Sequence, residues 1–430
     1  MISEPVVTTL DSGVRVVTEA MPSVRSAALG FFVGTGSSTE DESVAGWSHL
    51  LEHMLFRGTE SYESLEIDQI FDAMGAELNA GTGKDSTSVY TRVLDVHLDR
   101  AFDVLSDMVW RPLVTDEDLA SEREIVIEEI AMYEDDPQDL VFDVLGAAVF
   151  GAHPLGRPVI GSRESVTRAS ADGLRDFHAD RYALGDLVVA ASGSVDHEHL
   201  VALVGDAQGR GEAGRRSPGA VPPPQREQPA RRFVAKDTEQ YHLTLGGHGL
   251  ARDDERRYAL RVLDTILGGT SSSRLFQEVR ERRGLAYSVF SFTSQHVGAG
   301  QVGVYVGTRP DNVDKALRVV GEELERLVQD GVTDEELTRA KDNAKGRMVL
   351  SLESTSARMN RLGAATLAGL PLLSLDELVD RVDAVTNDDV AGLARDLFNP
   401  AAMSAACVGA SEDVFRAGLA SVAPQLAEAA

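Results

Sequence analysis

The sequence predicts an α+β fold built from two homologous domains, and three observations carry that prediction. Strand-like and helix-like patterns alternate along the chain. Several segments recur in the same order in both halves, and a stretch without apolar periodicity divides them.

In the first half the strand patterns are Val14–Thr18, Ala28–Val33, Ser86–Val93 and Asp186–Ala191. They alternate with helical patterns, which points to a mixed sheet. The divider is "AQGRGEAGRRSPGAVPPPQREQPARR", Ala207–Arg232, dense in Gly, Pro and Arg. It reads as a flexible connector between a domain over residues 1–206 and a second over 233–430.

The repeat is legible in three places. "VYTRVLDVHLDRAFDVLSDMV" from Val89 and "VYVGTRPDNVDKALRVVGEEL" from Val304 each read as a strand leading into an amphipathic helix. "VTDEDL" at Val114 recurs as "VTDEEL" at Val332, an offset of 218. Thr115 and Thr333 are expected helix N-caps, each with an acid three residues on, as in a capping box. "LFRGT" (Leu55–Thr59) is echoed by "ILGGT" (Ile266–Thr270), an offset of 211.

Composition narrows the function. The 430 residues are 43% hydrophobic and 26% charged, as in a soluble globular protein. A formal net charge of −28 argues against nucleic-acid binding and suits a positively charged partner or substrate. No apolar run approaches the length of a membrane span, and no signal-peptide pattern opens the chain. The single cysteine, Cys407, excludes an internal disulfide and fits a reducing compartment, so a cytoplasmic location is expected.

The chemistry concentrates in "HLLEHMLFRGT", His49–Thr59. At about 100° per helical residue, His49, Glu52 and His53 share about a third of the circumference and can face one spot. With 10 His and 69 acidic residues in the chain, about 0.04 chance matches to H-x-x-[D/E]-H are expected. A catalytic zinc normally takes three protein ligands and leaves a fourth position open. Candidates for the third lie in "ASEREIVIEEIAMYEDD" (Ala120–Asp136), where Glu122 and Glu129 stand two turns apart on one helical face. Glu128 and Glu134 read as solvated. In the second copy Glu122 and Glu129 fall on Ala340 and Arg347, and His49, Glu52 and His53 on Leu260, Leu263 and Asp264. The set is lost together, as a functional unit would be.

These segments resemble the inverted-motif zinc peptidases that include pitrilysin, insulin-degrading enzyme and mitochondrial processing peptidase, closest to the processing-peptidase-like bacterial members. The resemblance runs through "GAELNAGTGKDSTSVY" (Gly75–Tyr90), "EREIVIEEI" with Glu129 76 residues after His53, "HPLGRPVIG" (His153–Gly161) and "SSRLFQEVRERRGLAYSV" (Ser272–Val289). It implies a pair of mixed-sheet domains closing over a chamber, and a zinc endopeptidase cutting unfolded peptides. His49, His53 and Glu129 would bind one Zn2+ per chain. Glu52 would be the general base and Glu122 an accessory carboxylate. Arg280 and Tyr287 would hold substrate and oxyanion, rather than the neighbouring Arg282 and Arg283. Asn79 and Ala80 would lie on a strand edge to which the peptide adds. Asp85, where relatives often carry glutamate, is a departure. A homodimer is expected by the same resemblance, and the acidic charge suggests basic, presequence-like peptides.

Other readings weaken on inspection. "GTGKDST" (Gly81–Thr87) lacks the glycine and the hydroxyl residue of a phosphate loop, with Leu78 and Asp85 in their places. In "DHEH" Asp196 is an expected helix cap, with His197 and His199 exposed. S-ribosylhomocysteine lyases share H-x-x-E-H but resemble a short single domain with a cysteine ligand. A non-catalytic peptide-binding or structural subunit of the same family is the alternative, although such relatives typically lack part of the zinc set.

Overall fold

A computed structural model describes residues 4–210, 221–225 and 228–428; residues 211–220 and 226–227, within the expected connector, lie outside the described residues. The chain forms two compact units. The first carries strands β1 (Val6–Thr9), β2 (Arg15–Ala20), β3 (Ser26–Val33), β4 (Glu77–Thr82), β5 (Thr87–Leu94) and β6 (Leu187–Gly193), in the order β1-β2-β6-β3-β5-β4. The second carries β7 (Arg231–Ala235), β8 (Tyr241–His248), β9 (Ser288–His296), β10 (Ala299–Thr308) and β11 (Ser404–Gly409), in the order β7-β11-β8-β10-β9. Leaving β1 aside, the two orders match strand for strand. Each sheet has one parallel pair, β2–β6 and β7–β11, and the other pairings are antiparallel. The repeat read from sequence is therefore a repeat of topology, and the α+β expectation of two mixed-sheet domains holds.

Burial follows strand position. β3 and β6 are central and apolar almost throughout, "SAALGFFV" and "LVVAASG", and are buried nearly end to end. β4, "ELNAGT", alternates exposed and half-buried residues, as a strand at the sheet margin must. The first unit's core also takes the inner faces of α1 (Trp47–Met54), α2 (Ser64–Met74) and α3 (Leu98–Trp110), through Leu50, Leu51, Met54, Ile67, Phe71 and Leu105 among others. The helix α4 (Asp116–Asp135) begins where expected: Thr115 Oγ1 accepts from Asp118 N at 3.1 Å. Thr333 does the same for Glu336 N at 3.2 Å, and Glu336 answers the Thr333 N–H at 2.9 Å, a complete capping box.

The units do not follow the two halves of the sequence. Residues Ala131–Arg157 belong with the second unit and Val349–Ser374 with the first. α4 ends before Pro137, whose ring cannot continue it, and Asp136 caps a new helix α5 (Pro137–Phe150) by accepting from Gln138 N at 2.8 Å. α5 lies on β8 and β11, with Val141, Leu145 and Val149 buried in one cluster with Tyr305, Ala406 and Val408. Gly246 on β8 permits this approach, since a Cβ there would sit 2.8 Å from Leu145 Cδ2. The helix Thr355–Leu367, 218 residues later, does the reciprocal: Met359 and Leu362 bury against Val17, Ala28, Phe32, Val188 and Ala190 of the first sheet. It is locked by a buried ion pair between Arg358 and Glu19, each 4% exposed, with Arg361 Nη2 also 3.3 Å from Glu19 Oε2.

At the end of β6, Asp196 caps its helix by accepting from His199 N at 2.8 Å, as expected. His199 is exposed, but His197 is half-buried and bonds Thr8 and Thr18 at 2.8 and 2.9 Å, so the expectation of two exposed histidines is corrected. The hydroxyls on β1 and β2 recruit its ring into the packing. No helix among the described residues is long and apolar enough to cross a membrane.

Candidate metal centre

The site is made by α1 and α4. Leu50, Leu51 and Met54 fill the core, so helical periodicity leaves His49, Glu52 and His53 on the opposite, half-buried face of α1. The start of α1 is fixed by the buried Glu40 carboxylate, which accepts from Gly46 N and Ser48 N, both at 2.7 Å. Gly46 sits at φ +88°, and a Cβ there would lie 2.4 Å from Ile160 O, so this entry requires glycine.

α4 brings Glu129 to the two histidines. Its Oε2 is 3.7 Å from His49 Nε2 and 3.6 Å from His53 Nε2. One ligand atom from each of the three lies within 4.8 Å of the others, the one such His/Cys/Asp/Glu cluster among the described residues. Seven residues earlier, Glu122 is buried and turns to the far side of the His53 ring, accepting from Nδ1–H at 2.8 Å. Arg57 holds the other Glu122 oxygen. Glu128 and Glu134 are exposed, as expected.

Electrostatics separates the two histidines. Burial pushes the His49 pKa down to about 4, with the neighbouring His53 adding to the effect. Burial also opposes charge on His53, but the Glu122 hydrogen bond and the nearby carboxylates outweigh it and raise its pKa. Burial works against the Glu122 carboxylate too, and its bonds to His53 and Arg57 overcome this and lower its pKa. Burial raises Glu52, against the hydrogen bond that Thr82 Oγ1 donates to its Oε2. Glu52 is thus tied to β4 while it stays within electrostatic reach of His53 and Glu129.

Thr82 ends β4, the strand that carries Asn79 and Ala80, paired with Tyr90 and Val89 of β5. β4 is the last strand of its sheet. Arg280 and Tyr287 lie in the second unit and are brought together there: the Arg280 Cζ stands 4.6 Å over the Tyr287 ring. They do not share an ordinary helix. Arg280 lies near the end of a π-helical stretch, Phe276–Glu281, and Tyr287 directly precedes β9. Arg282 and Arg283 are both taken up by Glu278.

Three contributors escaped the sequence reading. Arg57 had a signal only as a basic residue just past the end of the motif helix, and Glu40 had one as an acid ahead of a helix start. Thr82 had none, because only the sheet brings it to Glu52.

The second unit keeps the scaffold of this site with different chemistry. Asp264, where the repeat places the second histidine, lies on the helix Arg257–Leu267 and accepts from Ser291 Oγ at 2.6 Å. Burial pushes its pKa up to about 6, against the charges of Arg261 and Arg347, the latter standing where the repeat places Glu129.

An H-x-x-E-H helix with a carboxylate across from it, set on one of two repeated mixed sheets, defines a protein of the metallopeptidase class. Residues 15–163 match the family model "Insulinase (Peptidase family M16)", and residues 168–344 match "Peptidase M16 inactive domain". An "uncharacterized zinc protease" of Streptomyces coelicolor is 45% identical over 399 residues, covering 91% of this chain and 86% of that one. A protein of the same description from Bacillus subtilis is 40% identical over 390 residues, covering 91% of this chain and 95% of that one. The chain belongs to peptidase family M16. Solved structures of a peptidase M16 inactive domain from Pseudomonas fluorescens (TM-score 0.89, 24% identity, 95% of this chain and 98% of that one) and of a protease from Helicobacter pylori (TM-score 0.88, 21% identity, 95% and 100%) share its fold. The "inactive" description attaches to the half in which Leu260, Leu263 and Asp264 replace the motif.

Proposed function

We propose that the protein is a zinc-dependent endopeptidase acting on extended peptides. The observation that carries the reading is the convergence of His49, His53 and Glu129, with Glu52 on the same helix face and bonded to Thr82. The donor set suits zinc: two imidazole nitrogens and one carboxylate, with nitrogen–oxygen separations of 3.6 and 3.7 Å that resemble the edge of a tetrahedron. His53 Nδ1 is occupied by Glu122, which leaves Nε2 for a metal, and the depressed His49 pKa keeps that ring neutral, as a ligand must be. When bound, zinc supplies Lewis acidity that activates water and polarises a carbonyl.

The remaining work falls to this chain's side chains. Glu52 takes the proton of the attacking water and passes it to the leaving amine. Thr82 orients the Glu52 carboxylate, and Glu122 orients His53. Arg280 and the Tyr287 hydroxyl offer hydrogen-bond donors to a bound peptide. The peptide adds beside β4 at Asn79 and Ala80, which demands an extended and hence unfolded substrate. The name "zinc protease" of the relatives supports the metal and the reaction class. Association of two copies belongs to the same proposal and would double the mass in solution.

Metal analysis and peptide cleavage of three proteins test the reading. The wild type and Glu52→Gln should each retain one zinc per chain, while Glu52→Gln loses about 10²–10⁴-fold in turnover. Glu129→Gln should lose metal on dialysis. Near-normal turnover by Glu52→Gln would sink the assignment.

A further inference from the structure

We propose that Phe276 is a positioning residue that holds Arg280 and Tyr287 ready for substrate; this rests on the peptidase reading above. The Arg280 Cζ lies 4.7 Å over the Phe276 ring and 4.6 Å over the Tyr287 ring, so one guanidinium bridges two aromatic faces. Tyr287 is 77% exposed, and the Arg280 contact is what steadies its ring. Phe276 in turn steadies Arg280 from within the π-helical stretch, a conformation that is rare and recurs at functional sites. The turn between them is pinned as well: Leu285 O accepts from Thr308 Oγ1 at 2.6 Å and from Asn312 Nδ2 at 3.1 Å.

The chemistry explains why an aromatic ring is needed. This short segment holds three arginines and two glutamates. Glu278 captures Arg282 and Arg283, and the Glu281 carboxylate lies 3.6 Å from Arg280 Nε as a competitor. An ion pair consumes a guanidinium's edge N–H donors, whereas stacking uses only its face and leaves those donors for a peptide carbonyl. Phe276 therefore biases Arg280 towards the stacked state in which it can still donate.

The test compares wild type, Phe276→Leu and Phe276→Tyr by short-peptide kinetics, zinc content, thermal unfolding and the ring-current shift of the Arg280 Nε–H resonance. Phe276→Leu should release the shifted resonance and lose about 5–30-fold in kcat/KM, chiefly through KM, with zinc and melting temperature kept. Phe276→Tyr retains a ring and should restore both. A folded Phe276→Leu protein with unchanged kcat/KM, or an unmoved resonance, overturns the positioning role. No cleavage by any of the three, with the resonance moving as expected, overturns the peptidase reading instead.

Discussion

Glu122 accepts a hydrogen bond from His53 Nδ1–H at 2.8 Å while Arg57 grips its other oxygen, so the orientation of a proposed metal ligand is set by a residue 69 positions away. Such outer partners typically contribute about 10–100-fold to metal affinity. Glu122→Ala should weaken zinc binding by about that factor in a competition titration with a chelating indicator. Arg57→Ala should cost less, because the Glu122–His53 bond survives it. Equal affinities for all three proteins would remove Glu122 from the site.

The buried Glu19–Arg358 pair yields a stability prediction. Removing one partner strands a buried charge, so Glu19→Ala should lower the unfolding free energy by about 3–5 kcal/mol in denaturant titrations. Replacing both Glu19 and Arg358 by methionine should cost less than the single change, because the buried guanidinium leaves with its carboxylate and only the half-buried Arg361 loses a partner. A double variant less stable than the single one would contradict this account.

Asp264 predicts a pH dependence. Its folded pKa is raised to about 6 from an ordinary 3.8, so the folded state favours its protonated form. The resulting penalty is absent below the unfolded pKa and grows as pH rises through 6. Asp264→Asn, which can still accept from Ser291, should therefore stabilise the protein by about 1–3 kcal/mol at pH 8. The difference should vanish near pH 4. A pH-independent difference would show that packing, not charge, governs the site.

The net charge of −28 bears on substrate choice. A Lys/Arg-rich peptide should have a higher kcat/KM than an acidic one of equal length, and the ratio should shrink as salt shortens the screening length from about 8 Å at physiological ionic strength. A ratio that salt leaves unchanged would assign the charge to solubility alone.

Much of this protein was legible in one dimension because its signals are local or repeated. His49, Glu52 and His53 lie within five residues, so helical geometry alone converges them. The capping residues Thr115 and Thr333 act on amides three positions away. Duplication announced itself because both copies had to solve the same packing problem, and the joint loss of the motif in the second copy marked it as a unit.

Contacts with no local signature were decided only in three dimensions. Nothing in sequence tells that Thr82 meets Glu52, because that contact depends on where the β4 margin passes α1. Composition does not distinguish Arg280, Arg282 and Arg283 either; only the fold pairs the last two with Glu278 and sets the first between two rings. The reciprocal exchange of α5 and the helix Thr355–Leu367 was hidden too. An amphipathic helix records that one face must be buried, but the pattern is the same whichever sheet buries it, and only the folded chain selects the partner.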